Sequence, residues 1–215
     1  MKYIIMCGGE YKKWSKPRQL IEVNGEPIVA RTIRLLRESG VEDIAISSDK
    51  FVFSKFGVPV LTHRDDYVAR KYNDMDGFWC NCFYPMDEPA CYIFGDVIFS
   101  PRAIDYIVKY KTDDIMLFGS KPPFSAEYPK RWIEPFAFKV ENQKHLHEAC
   151  REVKRLEAEG MFYHKPIAWE TWAVIHGGDP NGIDTDSYIG IDDYTCDIDN
   201  PEEVECVLQH IKSSL

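Results

Sequence analysis

The chain has 215 residues, 45% of them hydrophobic, and carries 35 acidic against 26 basic side chains for a formal net charge of −9 at pH 7. That length and apolar content suit one domain, residues 1–215, with a large core, and the acidic balance excludes a general nucleic-acid binder, whose surface is basic. Neither a membrane-length apolar run nor a signal-peptide pattern is present, and seven irregularly spaced cysteines suit reduced thiols, so the expectation is a cytoplasmic protein that contacts no membrane. Cys80, Cys82 and Cys91 do not have the paired spacing of a zinc site.

The first element is the apolar run Tyr3-Ile4-Ile5-Met6, which reads as a buried parallel strand. Gly8 and Gly9 follow it, then four cations in one loop: Lys12, Lys13, Lys16 and Arg18. Glycine lets backbone N–H groups approach a phosphate, and Lys and Arg neutralise its charge. Cys7, Gly8, Gly9 and Glu10 are therefore candidate nucleotide-binding residues, with Lys13, Lys16 and Arg18 as candidate catalytic cations. The loop is not a Walker motif, because no Gly-Lys-Ser/Thr follows, and the G-x-G-x-x-G pattern is missing.

Leu20 to Val23 reads as a short strand, Asn24-Gly25 as a tight turn, and Pro27 as the first residue of a helix through Glu38 that stops at Ser39-Gly40. Ile44-Ala45-Ile46 and the stretch Val58 to Leu61 are the next strands. This β-α-β-β alternation predicts an α/β fold with a mixed, mostly parallel sheet covered by helices, and nucleotide sites in such sheets lie at the carboxyl ends of the strands.

Between His63 and Asn81 the chain is polar and aromatic. Tyr72-Asn73-Asp74 is expected at the entry to a helix running through Trp79, where Asn73 either caps the helix or reads the nucleotide base. Cys91 to Phe94 is another buried strand, followed directly by Gly95-Asp96 and a helix start at Ser100-Pro101. A carboxylate at the end of a central strand is costly to bury without a partner, and Mg²⁺ is a natural one beside a triphosphate, so Asp96 is a candidate metal ligand.

Ile104 to Tyr110 is predicted helical, Asp114 to Phe118 a strand, and Lys121 to Arg131, with three prolines, a surface loop that could cover an acceptor. Trp132 to Val140 should be strand and Asn142 to Glu159 a solvated helix. Arg131, Glu134, Trp169 and Glu170 are candidate acceptor-binding residues, although aromatic residues more often fill a core. Near the end, Asp197-Ile198-Asp199 alternates, which places two carboxylates on one face, and Asn200-Pro201-Glu202-Glu203 starts the last helix. Asp197 and Asp199 are both candidate metal ligands; Asp199 or Asn200 also suits a helix cap.

The order of these pieces resembles the nucleotidyltransferases of single-domain Rossmann-like fold: sugar-phosphate nucleotidylyltransferases, the MobA-like group and small bacterial cytidylyltransferases. Gly8, Gly9, Lys16, Pro17, Leu20, Gly25 and Pro27 match that signature, while Tyr11 and Lys13 stand where glycine and arginine are usual. Arg18 stands near the position of a catalytic lysine. The stretches YNDMD, CYIFGDVIFSP, EPFAFKV and YTCDIDNPEEV are similar to the cytidylyltransferases of capsular polysaccharide biosynthesis, in particular those acting on phosphoglutamine. The resemblance implies a Mg²⁺ cofactor, a nucleoside triphosphate (CTP) and a small phosphorylated acceptor, with Asp96 and one of Asp197 or Asp199 on the metal. A sugar-1-phosphate or phosphocholine-type nucleotidylyltransferase and a nucleotide-sugar glycosyltransferase are the other readings.

Overall fold

A computed structural model describes residues 1–8, 14–62, 79–201 and 203–213. Seven strands form the central sheet in the order β10-β8-β9-β6-β1-β4-β5. They are β1 (Lys2–Met6), β4 (Ile44–Ser48), β5 (Val60–Thr62), β6 (Ala90–Phe94), β8 (Ile115–Ser120), β9 (Pro135–Val140) and β10 (Ile189–Ile191). All adjacent pairs are parallel except β6/β9 and β8/β9. β9 alone therefore runs against the other six, and the sheet is mixed but mostly parallel, as the alternation of elements predicts.

Alternation within the strands sorts the core into two layers. On one side lie Tyr3, Ile5, Cys91 and Ile93, packed with Ile28, Ile33 and Leu36 of helix α1 (Ile28–Glu38) and Ile104 of helix α2 (Pro101–Lys109). On the other side lie Ile4, Met6, Tyr92 and Phe138, packed with Leu146 and Val153 of helix α3 (Gln143–Ala158) and Trp172 of helix α4 (Ala168–Ile175). Ile4, Ile5, Tyr92 and Phe138 are fully buried, which is why these strands read as near-continuous apolar runs. Cys80 and Cys91 fall in opposite layers, so they cannot share a metal, and all seven cysteines are free.

Several expected boundaries move. The strand expected over Leu20 to Val23 is instead a 3-10 turn, Arg18–Leu20, followed by a two-residue strand β2 (Glu22–Val23) paired with β3 (Glu26–Pro27). Pro17 accepts from the Leu20 N–H at 2.9 Å and begins that turn. β5 begins two residues later than expected, after Gly57 takes a left-handed conformation at φ 68°. β9 starts at Pro135 rather than Trp132, because the Glu134 N–H is taken by the Ser120 hydroxyl at 2.8 Å. The helix expected from Tyr72 lies outside the described residues; Trp79–Cys82 is a 3-10 turn. No helix among the described residues is long and apolar enough to cross a membrane.

The chain ends in a short strand and a helix. β11 (Cys196–Asp197) pairs antiparallel with β7 (Val97–Ile98), and helix α5 (Glu203–Ser213) follows. Buried Asp193 anchors this segment: it accepts from the Ser100 hydroxyl at 2.6 Å, while Thr195 Oγ1 accepts from the Ser100 N–H at 3.0 Å. Ser100 also caps α2, its Oγ accepting from the Ala103 N–H at 2.9 Å.

Candidate active site

β1, β4, β5, β6, β8 and β10 all end at one edge of the sheet, and the loop after β1 leaves from it. Gly95 turns the chain sharply at the end of β6. A Cβ there would sit 2.3 Å from the Met6 carbonyl and 2.9 Å from Cys7 Sγ, so only glycine lets β6 turn against the end of β1. Asp96 follows and is partly buried, its side chain 18% exposed. The β7/β11 ribbon then brings Asp197 beside it, and the Ile198 N–H donates to the Asp96 carbonyl at 3.2 Å.

Arg18 bridges these distant pieces. Its NH2 lies 2.6 Å from Asp96 Oδ2, and its NH1 lies 3.1 Å from Asp199 Oδ1 and donates to the Ile198 carbonyl at 2.8 Å. Trp14 Nε1–H adds a bond to the Asp199 carbonyl at 3.3 Å. A cation from the first loop is thus clasped by carboxylates from the middle and the end of the chain. Burial nevertheless pushes the Asp96 carboxyl up to about 6, with Arg18 pulling it down and Asp197 adding repulsion. Asp199 is also pushed up, by burial and by Asp197.

A second cation enters from the other side. Lys130 has a side chain only 3% exposed, and its Nζ lies 2.5 Å from Glu134 Oε1, 2.5 Å from Asp197 Oδ1, 3.2 Å from Glu203 Oε2 and 3.5 Å from Asp199 Oδ2. Burial alone would lower the lysine pKa; Asp197 and Glu134 overcome that and hold it above the ordinary range. Glu134 is 2% exposed and accepts from Tyr128 Oη at 2.7 Å, Trp132 Nε1 at 3.1 Å and the Asp197 N–H at 3.1 Å. Burial and the neighbouring Asp197 still push its carboxyl upward against the pull of Lys130. Oxygens of Glu134, Asp197 and Asp199 all lie within 4.8 Å of one another.

Arg18, Asp96, Glu134, Asp197 and Asp199 come together. Cys7 sits at the edge, fully buried, its carbonyl accepting from Ser48 Oγ at 2.9 Å and its thiol pushed well up by burial; Gly8 follows it, exposed, and Lys16 is exposed as well. Arg131 is exposed and its guanidinium donates to the Lys130 carbonyl at 3.4 Å.

Trp169 and Glu170 instead belong to α4: Trp169 is buried 5.0 Å from the Tyr188 ring, and Glu170 Oε2 accepts from the Ile167 N–H at 2.8 Å, tying down the start of its own helix. Gly9, Glu10, Lys13 and Asn73 lie outside the described residues. Asp197 is in β11 and Asp199 beyond it, yet both carboxylates reach Lys130. The turn into α5 is closed by Glu203, which accepts from the Asp199 and Asn200 N–H groups at 2.9 and 3.3 Å, leaving the Asp199 side chain for the two cations.

Sequence reasoning missed Lys130, Glu203 and the place of Glu134 among the carboxylates. No local pattern marked them: β9 runs against its neighbours, so its first residues, not its last, lie at the edge where the parallel strands end, and that reversal is set by tertiary pairing.

No curated protein matches the chain. Among solved structures, a homolog of Mycobacterium tuberculosis rv0371c from Mycobacterium sp. strain JC1 is similar to it with a TM-score of 0.56 at 12% identity, over 100% of this chain and 98% of that one. A putative glucose-1-phosphate thymidylyltransferase from Bacillus anthracis, solved in complex with a sucrose, is similar with a TM-score of 0.55 at 14% identity, over 97% and 94% of the two chains. Both share the nucleotidyltransferase-like fold. Residues 3–161 match the MobA-like NTP transferase domain, and the chain therefore belongs to that family of nucleotidyltransferases.

Proposed function

We propose that the chain is a CTP-dependent cytidylyltransferase that transfers CMP to a small phosphorylated acceptor, phosphoglutamine in capsular polysaccharide biosynthesis. An acceptor phosphate oxygen attacks the α-phosphorus of CTP, the bond to the β-phosphate breaks, and pyrophosphate leaves. The acceptor oxygen is already ionised at neutral pH, so no general base is needed, and catalysis is positioning and charge neutralisation.

The observation that carries nucleotidyl transfer is the clasp of Arg18 by Asp96 and Asp199. It brings a phosphate-type cation and metal-type carboxylates to the edge where the glycine loop leaves β1. The choice of CTP and phosphoglutamine is supported by the resemblance of YNDMD, CYIFGDVIFSP and YTCDIDNPEEV to the capsular enzymes.

Members of this family typically use Mg²⁺, and the donor set here fits it. Hard carboxylate oxygens converge, and burial pushes the Asp96 carboxyl up, a shift that a further cation beside it would oppose. Asp96 with Asp197 or Asp199 would hold the ion, with Glu134 within reach of the same cluster. Bound there, Mg²⁺ neutralises phosphate charge and polarises the α-phosphoryl group. Arg18, Lys16 and Lys13 stabilise the triphosphate and the departing pyrophosphate. In this reading Arg131 and Glu134 meet the charged head of a zwitterionic acceptor.

Pyrophosphate release, measured with Mg²⁺, each of the four ribonucleoside triphosphates, and phosphoglutamine, phosphocholine or sugar-1-phosphates, tests this reading. Release with CTP and phosphoglutamine alone is expected. Release with a sugar-1-phosphate instead would keep the chemistry and replace the acceptor; release with no pair would overturn the reading.

A further inference from the structure

Among the described residues, five carboxylates at this edge, from Asp96, Glu134, Asp197, Asp199 and Glu203, are paired with two cations, Arg18 and Lys130. The two cations differ in kind. Arg18 is a rigid planar fork on the rim, whereas Lys130 is a compact ammonium on a flexible stem, buried in the middle of the cluster. Its Nζ touches Glu134 and Asp197 and lies 3.5 Å from Asp199 Oδ2, so it contacts each of the three residues whose oxygens converge as a metal-type set.

We propose that Lys130 is a positioning residue that acts as a built-in cation: its ammonium takes the place among Glu134, Asp197 and Asp199 that a divalent ion would take, so this cluster binds such an ion only in competition with Lys130. The inference rests on the nucleotidyltransferase reading for its relevance to turnover, but its geometry is independent of which nucleotide or acceptor is used. Glu134, the buried member of the set, is costly to keep charged without a counter-charge. Lys130 supplies that charge before substrates arrive and keeps Glu134 and Asp197 in place. Its Nζ also lies 5.4 Å from the ring centroid of Trp132, a residue 52% exposed, and at that distance an indole face attracts an ammonium. The residue sits in the proline-containing segment between β8 and β9, whose other end is held by an ion pair of Lys121 with Asp186 at 2.9 Å. Withdrawal of Lys130 from the cluster would therefore loosen one of the ties of this segment.

The test reads the ion and the lysine, not turnover. Mn²⁺ is titrated into the nucleotide-free protein and followed by the paramagnetic resonance of free Mn²⁺. Lys130→Met, which keeps the stem and removes the charge, is expected to bind Mn²⁺ at least tenfold more tightly than wild type, and adding Glu134→Gln to that variant is expected to reverse the gain. In the wild-type protein, reductive methylation read by mass spectrometry should find Lys130 protected without Mn²⁺ and modified at least fivefold faster at saturating Mn²⁺, with Lys121 unchanged. Equal Mn²⁺ affinity in folded Lys130→Met, or a Lys130 that stays protected at saturating Mn²⁺, would overturn the proposal. The labelling arm needs no variant, so a misfolded substitution cannot shield the idea. Neither readout involves nucleotide or acceptor, so this proposal and the cytidylyltransferase reading fail separately.

Discussion

Glu134 and Glu170 are both buried glutamates, 2% and 6% exposed, and they do opposite things. Glu170 is satisfied locally, by the N–H of Ile167 three residues earlier and by a His164 Nε2 at 3.4 Å. Its carboxylate closes a helix end. Glu134 draws part of its set from sixty-three residues away, through the Asp197 N–H, and shares Lys130 with carboxylates of the C-terminal segment. The first region is answered locally, because the named partners of Glu170 lie within six residues of it. The second brings more carboxylates than cations together among the described residues, and a buried carboxylate such as Glu134 in that set is stable only beside a cation supplied from elsewhere.

The largest effect expected from this contrast is on turnover. Asp96→Asn should lower kcat/KM for pyrophosphate release by on the order of 10³-fold, about 4 kcal/mol of transition-state stabilisation, with an unchanged far-ultraviolet dichroism spectrum. Activity within threefold of wild type would break the assignment of the acidic edge as the catalytic one.

Next comes stability. Glu134→Ala should cost about 3 kcal/mol in urea unfolding, because it removes one partner of a buried ion pair and strands the donors of Tyr128 and Trp132. A loss below 1 kcal/mol would mean that Asp197, Asp199 and Glu203 neutralise Lys130 without it.

A pH dependence of similar or smaller size sharpens the comparison further. Asp96 is held at about 6 against an ordinary value of 3.8, chiefly by burial. Between those values the folded, metal-free chain binds more protons than the unfolded one, so the stability linked to Asp96 is present at low pH and falls as pH rises through the window. The fall should be at most about 3 kcal/mol. It is read as the difference in urea stability between wild type and Asp96→Asn at pH 4 and pH 7 without divalent ions, and adding Mn²⁺ at pH 7 should restore part of it. A difference that does not change with pH would show that Arg18 fully compensates Asp96.

The smallest effect belongs to the self-contained region. Glu170→Ala should cost about 1 kcal/mol in the same unfolding measurement, the size of a lost helix-end contact, and that cost should not depend on Mn²⁺. A Mn²⁺-dependent cost would place Glu170 in the charged region after all.

Some of this was legible before any coordinates. The strand Tyr3 to Met6, the Gly95-Asp96 step and the start of the last helix follow from local chemistry: apolar runs too continuous for a surface strand, a glycine where backbones must meet, and a proline with acidic residues opening a helix. Arg18 could be named because it belongs to the basic loop after the first strand, Asp96 because it follows a glycine at a strand end, and Asp197 and Asp199 because they alternate just before a helix start. Trp169 and Glu170 show the limit of residue type as a guide. An aromatic-acidic pair reads the same whether it lines a cleft or fills a core, and here Trp169 packs on Tyr188 while Glu170 ties its own helix.

By itself, then, the sequence determined the class of fold, the main strands and helices up to Glu159 and the residues that follow the strands β1 and β6, since these depend on periodicity, turn chemistry and burial within a few neighbouring residues. Only the tertiary structure decided which charges meet. The reversal of β9 carries Glu134 to the edge where its neighbours end, the β7/β11 ribbon carries Asp197 to Asp96, and a lysine with no local pattern, Lys130, lands among them. Those encounters join residues from separate parts of the chain, and their energies depend on distance and burial that no stretch of sequence contains.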